Sequence, residues 1–219
     1  MDESKKLSGE LHDIKQMMER SSRFISLSGL SGIAAGICAL VGVVAAHDTI
    51  EDNRLAVVNF RRSIYGVDSI IYGDFFNSAL VRIAVATFVA ALLLAFLFTY
   101  RRSKKTNTPI WSATSKRLLI NVAVPIITGG IFLLALINNR IFGFVAPGCL
   151  IFYGLGVLNA SKYTLFETRY LGYGEIILGL ICLFFPGEGL YFWAAGFGVL
   201  HIIYGIFMWW KYEMNYKNF

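Results

Sequence analysis

Charge is scarce in this 219-residue chain: Asp, Glu, Lys and Arg make up 16% of it against 56% hydrophobic residues, and the mean hydropathy is +0.60. So little charge cannot coat a water-soluble domain, and what there is lies in clusters between long apolar runs. Cysteine is scarce too. Cys38, Cys149 and Cys182 all fall inside apolar runs, which argues against a disulfide framework or a zinc site and leaves them as small packing residues. Haem needs a pair of axial ligands such as two histidines, and of His12, His47 and His201 only the last lies well inside an apolar run. A P-loop, a zincin pattern and a carboxylate cluster are all missing. No catalytic residue, cofactor or metal is therefore expected. The net charge of +6 sits beside apolar runs without any nucleic-acid recognition module, so the partner it implies is anionic lipid headgroups.

What is present is hydrocarbon-length apolar sequence. About 20 apolar residues cross a bilayer core as a helix, and six segments reach or approach that length: 24–46, 80–100, 118–137, 141–160, 171–186 and 190–210. The expected fold is all-α, a polytopic six-helix transmembrane bundle of three helical hairpins. Asn138-Asn139-Arg140 and Pro186-Gly187-Glu188-Gly189 mark the two tight turns.

Lysine and arginine placement sets the orientation. With the N-terminus inside, the segments 1–23, 101–117, 161–170 and 211–219 carry fifteen basic residues, whereas Arg54, Arg61, Arg62 and Arg140 are the four on the other side. The positive-inside rule then puts both termini in the cytoplasm of a bacterial inner membrane. The first apolar run is too long for the h-region of a cleaved signal and reads as an anchor. In the tail 1–23, Leu7, Leu11, Ile14 and Met18 form an apolar stripe at helical spacing, suited to docking on the membrane, the bundle or a cytoplasmic protein partner. The tail 213–219 is also cytoplasmic in this reading. The outer loop 47–79 is long and rich in aromatics, with the local repeat Ile64-Tyr65-Gly66 and Ile71-Tyr72-Gly73; short interfacial helices are expected there. The inner loop 101–117 is basic and anchored by Trp111. Homo-oligomerisation is left open by the sequence.

An internal repeat organises the spans. At a constant offset of 49, Gly130 pairs with Gly179, Gly156 with Gly205 and Lys162 with Lys211; at 94, Gly36 pairs with Gly130. The first, third and fifth spans share Ile-x-x-Gly-[Ile/Leu]-x-x-Leu, as "IAAGICAL", "ITGGIFLL" and "IILGLICL". Lipid provides no hydrophobic drive between helices, so small residues that let backbones touch are the expected contacts. Gly32, Gly36, Gly130, Gly179 and Gly205 are the packing glycines on this reading.

The hairpin "GEIILGLICLFFPGEGLYFWAAGFGVLHIIYGIF", Gly174 to Phe207, resembles the HdeD-like family of bacterial six-helix membrane proteins associated with acid and stress resistance. The start "SSRFISLSGLSGIAAGICALVG" is similar to that of a group of bacterial six-helix membrane proteins. The resemblance implies architecture and a stress-related setting, and brings no catalytic motif with it.

Two features bear on chemistry. The stretch GLSG around Ser31, together with His201, is similar to the nucleophile and base of rhomboid proteases. However, Ser31 lies on the first span where that pattern needs the fourth, and "LHIIYG" lacks the close-packing Ala-His-x-x-Gly, so no base is arranged for a nucleophile. Glu175 and His201 lie at equal distances on either side of residue 188, about 20 Å from the turn at 1.5 Å per residue. They are the candidate intramembrane polar pair, since burial of such groups in a bilayer is expensive. The expected function is non-enzymatic: a stress-related, sensing or membrane-organising role. The alternative is a small proton- or cation-coupled transporter using Glu175 and His201.

Overall fold

The computed structural model describes residues 28–63, 79–106, 109–139 and 141–214, with backbone only over 53–63. The apolar stripe Leu7–Met18, the Ile-Tyr-Gly repeat and Arg140 lie outside the described residues. Among the described residues the chain is helical and has no strand. The six helices are α1 Gly29–Ser63, α2 Ala79–Thr106, α3 Ala113–Asn138, α4 Val145–Ala160, α5 Thr168–Cys182 and α6 Gly189–Met214. One 3-10 turn, Phe142–Phe144, leads into α4.

Among the described residues five segments are long and apolar enough to cross a membrane: Gly29–Asp52 of α1, all of α2, all of α3, Phe142–Ala160 and all of α6. A multi-pass helical protein follows. The expected span 171–186 is corrected: α5 has 15 residues, about 22 Å of helix against a hydrocarbon core of about 30 Å. It starts earlier, at Thr168, and stops at Cys182, where Phe184 and Phe185 donate their N–H groups to the carbonyls of Ile181 and Cys182. Gly187, at φ +100°, then reverses the chain in a backbone region that residues with a Cβ rarely adopt.

Two loop expectations also change. Residues 47–63 continue α1 without a break, so the first part of the expected outer loop is one helix with the first span. Neither Gly nor Pro occurs between Gly42 and Gly66, leaving no residue there to stop it. At the other end α2 runs on to Thr106, through the first residues of the basic inner loop. Ser112 then starts α3 as an N-cap, its Oγ accepting from the Ser115 N–H at 3.1 Å.

Glycines set the packing. A Cβ on Gly36 would meet the Gly198 carbonyl at 2.7 Å, and one on Gly205 would meet the Ile33 nitrogen at 2.5 Å, so α1 and α6 lie backbone to backbone and antiparallel. Gly32 faces the Gly205 Cα in the same seam. The α4–α5 seam is built the same way, with Gly154 and Gly172 each lying against the other's carbonyl and Gly179 against the Pro147 carbonyl. Gly42 meets Thr87 between α1 and α2, and Gly156 meets Val122 and Ile126 between α3 and α4. The third hairpin is thereby splayed: its two helices bind different neighbours, α5 on α4 and α6 on α1. Gly130 is the exception among the expected packing residues. It is exposed, with nothing near its Cβ direction, while Gly129 is buried against Phe152. One residue turns a helix face by about 100°, so this glycine, aligned in sequence with Gly36 and Gly179, does not share their contact.

One end of the bundle gathers the ends of α1, α2 and α6. Glu213 Oε1 accepts from the Gly29 N–H at 2.7 Å and the Ser28 hydroxyl at 3.0 Å, and pairs with Arg102 Nη1 at 2.7 Å. A carboxylate at the N-terminus of α1 satisfies open backbone donors and complements the helix dipole. Nearby, Glu167 accepts from Lys211 Nζ and, at 2.9 Å, from the Tyr212 hydroxyl, tying the α4–α5 connection to α6. Away from these seams the apolar surface faces outward, as at Phe88, Leu93, Ile127 and Ile131, the arrangement a bilayer covers.

Two predictions follow from this packing. Gly36→Ala and Gly205→Ala should each destabilise the protein by about 1–3 kcal/mol through overpacking against backbone, while Gly130→Ala should be neutral or slightly stabilising; unfolding of the purified variants in detergent measures the difference. The second concerns acid. Burial opposes ionisation of Glu167, but hydrogen bonds from Lys211, its own backbone and Tyr212 outweigh it and hold its carboxyl below the usual value of 4.5. Its contribution to stability is therefore complete above that value and lost as pH falls through the depressed one. Glu167→Gln should flatten the acid limb of a stability-versus-pH curve, leaving the limb near neutrality unchanged.

Candidate functional site

Three helices bring their polar groups to one point. Glu175 comes from α5, His201 from α6 and Tyr153 from α4. Glu175 is wholly buried and His201 is 6% exposed; Tyr153 is intermediate and the outermost of the three. His201 Nδ1 lies 3.2 Å from Glu175 Oε1 and 3.1 Å from the Gly196 carbonyl oxygen. On the far side of the ring, Nε2 is 2.7 Å from the Tyr153 hydroxyl.

The local backbone explains why the histidine can reach both groups. Ala194–Leu200 is a π-helical segment within α6, a departure from α geometry that tends to occur at functional positions. The His201 backbone N–H bonds the Gly198 carbonyl, and the imidazole takes the Gly196 carbonyl five residues back. Gly196 also makes room for the carboxylate. A Cβ there would stand 2.5 Å from Glu175 Oε2 and 2.5 Å from Leu150 Cδ2.

Hydrogen-bond roles are fixed by the carbonyl, which only accepts. Nδ1 therefore carries a hydrogen and donates to Gly196, so a neutral ring accepts at Nε2 from the Tyr153 hydroxyl. An imidazolium would reverse that last bond and donate to Tyr153. The Glu175 contact is close but out of line: neither carboxylate oxygen has a hydrogen-bond partner. An unpaired buried carboxylate would cost several kcal/mol, so the adjacent imidazole is what makes its burial tolerable. Together the pair can hold one exchangeable proton, either as carboxylate and imidazolium or as acid and neutral ring.

Aromatic rings extend the cluster along α6. Trp193 meets Phe197 edge to face at 5.0 Å, and Phe197 meets Tyr153 at 5.1 Å. Trp193 also forms part of the wall of an apolar cleft of about 490 Å³. That cleft is not lined by Glu175, His201 or Tyr153. Farther along, Thr168 and Tyr204 share a hydroxyl–hydroxyl hydrogen bond of 2.9 Å.

The structure places Glu175 and His201 in contact; their equal distance from residue 188 set the depth and left the facing open. It adds two participants that spacing alone did not reveal, Tyr153 and Gly196. A tyrosine in mid-span, inside "FYGLG", was the available signal, because a hydroxyl in hydrocarbon needs a partner. Ser31 is elsewhere: its hydroxyl donates to the Ser28 carbonyl at 2.5 Å, a bond within the first turn of α1. Among the described residues no group of three or more His, Cys, Asp or Glu is arranged to hold a metal ion.

His201→Ala leaves Glu175 buried with no compensating neighbour and should destabilise the protein by about 3–5 kcal/mol. Glu175→Gln removes the charge at nearly constant volume and should cost much less. The double variant should be more stable than the sum of the two losses implies, and a double-mutant cycle on detergent unfolding reads this coupling directly. Comparison with known protein families, curated proteins and solved structures finds no match for this chain.

Proposed function

We propose that the chain is a non-enzymatic inner-membrane protein with a sensing role in stress, in which the Glu175–His201–Tyr153 cluster responds to protons. In this reading the protein is a three-hairpin repeat with both termini cytoplasmic. Its basic inner segments lie on anionic lipid, and its architecture is of the kind the HdeD-like resemblance implies. The observation that carries it is the burial of an exchangeable Glu–His pair, 3.2 Å apart, at the meeting of three helices. The carboxylate sits against Gly196, where α6 carries no side chain, so a change of charge there acts where α4, α5 and α6 meet. The groups facing the pair are Tyr153 from α4 and the Gly196 carbonyl of α6 itself. Tyr204 also lies on α6 and bonds Thr168.

The runner-up reading is a proton- or cation-coupled transporter built on the same pair. The bare Glu175 oxygens favour it. Against it, the 490 Å³ cleft has no lining residue from the pair, and a transported ion needs a wetted path to its site.

Reconstitution into liposomes separates the two. The native protein should pass no more protons or monovalent cations than protein-free liposomes. Its thermal unfolding midpoint should carry a dependence on pH that Glu175→Gln or His201→Ala removes. A flux that disappears in Glu175→Gln would establish transport instead, and a pH profile identical in all three proteins would remove the sensing role.

A further inference from the structure

The 490 Å³ cleft arises from where the glycine contacts stop. Along α1 the close approach to α6 runs from Gly29 to Leu40, whose side chain lies against Gly198. Past that point no glycine joins them, and the cleft begins at Gly42. α2 is held by α1, with Gly42 against Thr87, and by Arg102 at the opposite end of the bundle. A wedge therefore opens between this first hairpin and the start of α4, with Trp193 of α6 also lining it. Ala46, Ala84, Thr87, Phe142 and Cys149 form the rest of the wall that matters here.

The position and chemistry of the wedge select its occupant. Apart from Gly187 in the turn, its walls belong to four segments long and apolar enough to span a membrane, and among the residues named the Thr87 hydroxyl is the polar side-chain oxygen. Among the described residues no cationic side chain lines it, and that wall offers nothing to hold a phosphate headgroup. On α2, beside the lining residues Val81 and Ala84, an outward apolar strip carries Val85, Phe88 and Leu92, each more than half exposed. The volume falls within the roughly 300–1,000 Å³ of ligand pockets. An apolar cavity does not hold water well, and an empty one forfeits dispersion contacts along its whole lining.

We propose that this wedge is a binding site for one acyl chain of a bilayer phospholipid, entering sideways between α2 and the start of α4 and ending against Trp193. The headgroup stays at the membrane surface, outside the site.

Trp193 is its own reporter. The full-length protein with Trp111→Phe, Trp209→Phe and Trp210→Phe retains it alone and is reconstituted in phosphatidylcholine vesicles, with acyl chains either plain or brominated near mid-chain. Trp193 emission should fall in the brominated vesicles and resist aqueous acrylamide. Ala46→Leu with Ala84→Leu, which fills the wedge, should restore the emission. Equal emission in the two lipids would mean that protein fills the wedge, from this chain or a second copy, and would overturn the proposal. So would quenching by acrylamide, which would mean water, or quenching by brominated lipid that the filled variant does not relieve. Should the filled variant fail to fold, Ala84→Leu alone, which narrows the wedge, decides: it should recover part of the Trp193 emission, and quenching by brominated lipid that it leaves unchanged would overturn the site.

Discussion

Backbone contact between helices is the constraint on which this protein depends. In hydrocarbon an apolar side chain gains nothing by leaving lipid for protein, so cohesion must come from dispersion at close range and from the few polar groups that find partners. The α1–α6 and α4–α5 seams meet that requirement through residues without side chains. Gly36 and Gly205 abut backbone atoms of the opposite helix, as do Gly154 and Gly172. Both helices of the last hairpin are consumed by these seams. α6 is drawn to α1 and α5 to α4, and the first and last parts of the chain are joined through the third hairpin.

That splay creates the polar site. With α5 and α6 each bound to another helix, the meeting of α4, α5 and α6 is where Tyr153, Glu175 and His201 converge. The π-helical segment before His201 is the local adjustment that aims the imidazole at a carbonyl of its own helix and at the carboxylate. A buried acid and base in contact are stable as a pair and expensive apart, so the pair and the packing of the three helices that carry it depend on each other. The same splay accounts for the apolar wedge at the other side of Trp193, where the glycine ladder ends and the hairpins diverge.

Carboxylates secure the end of the bundle where α1 begins. Glu213 meets the open N–H of Gly29, a serine hydroxyl and Arg102, and so holds three helix ends by one side chain. Glu167 does comparable work through Lys211 and Tyr212. These acids stand among basic residues that spacing assigns to lipid headgroups. Part of that basic charge is thus neutralised within the protein.

The sequence by itself determined the class of the protein and the number of its helices. Long apolar runs, few charges and turn residues at 138–140 and 186–189 leave a polytopic helical bundle as the arrangement that satisfies the backbone in lipid. Equal distance from residue 188 set Glu175 and His201 at one depth, because both sides of a tight hairpin advance by the same rise per residue, but depth does not say which way either side chain faces. Helix ends were less legible: nothing in an apolar count reveals that α1 runs on to Ser63 or that α5 stops at Cys182, since those ends depend on capping bonds and on the absence of a stop residue. Only the tertiary structure decided which glycines pack, because Gly129 and Gly130 differ by one residue in sequence and by about 100° around the helix. It alone also decided that Tyr153 completes the polar cluster, that Glu213 caps α1 from 184 residues away, and that the hairpins part beyond Leu40. These outcomes turn on the facing of whole helices, a property of pairs of segments that no single segment encodes.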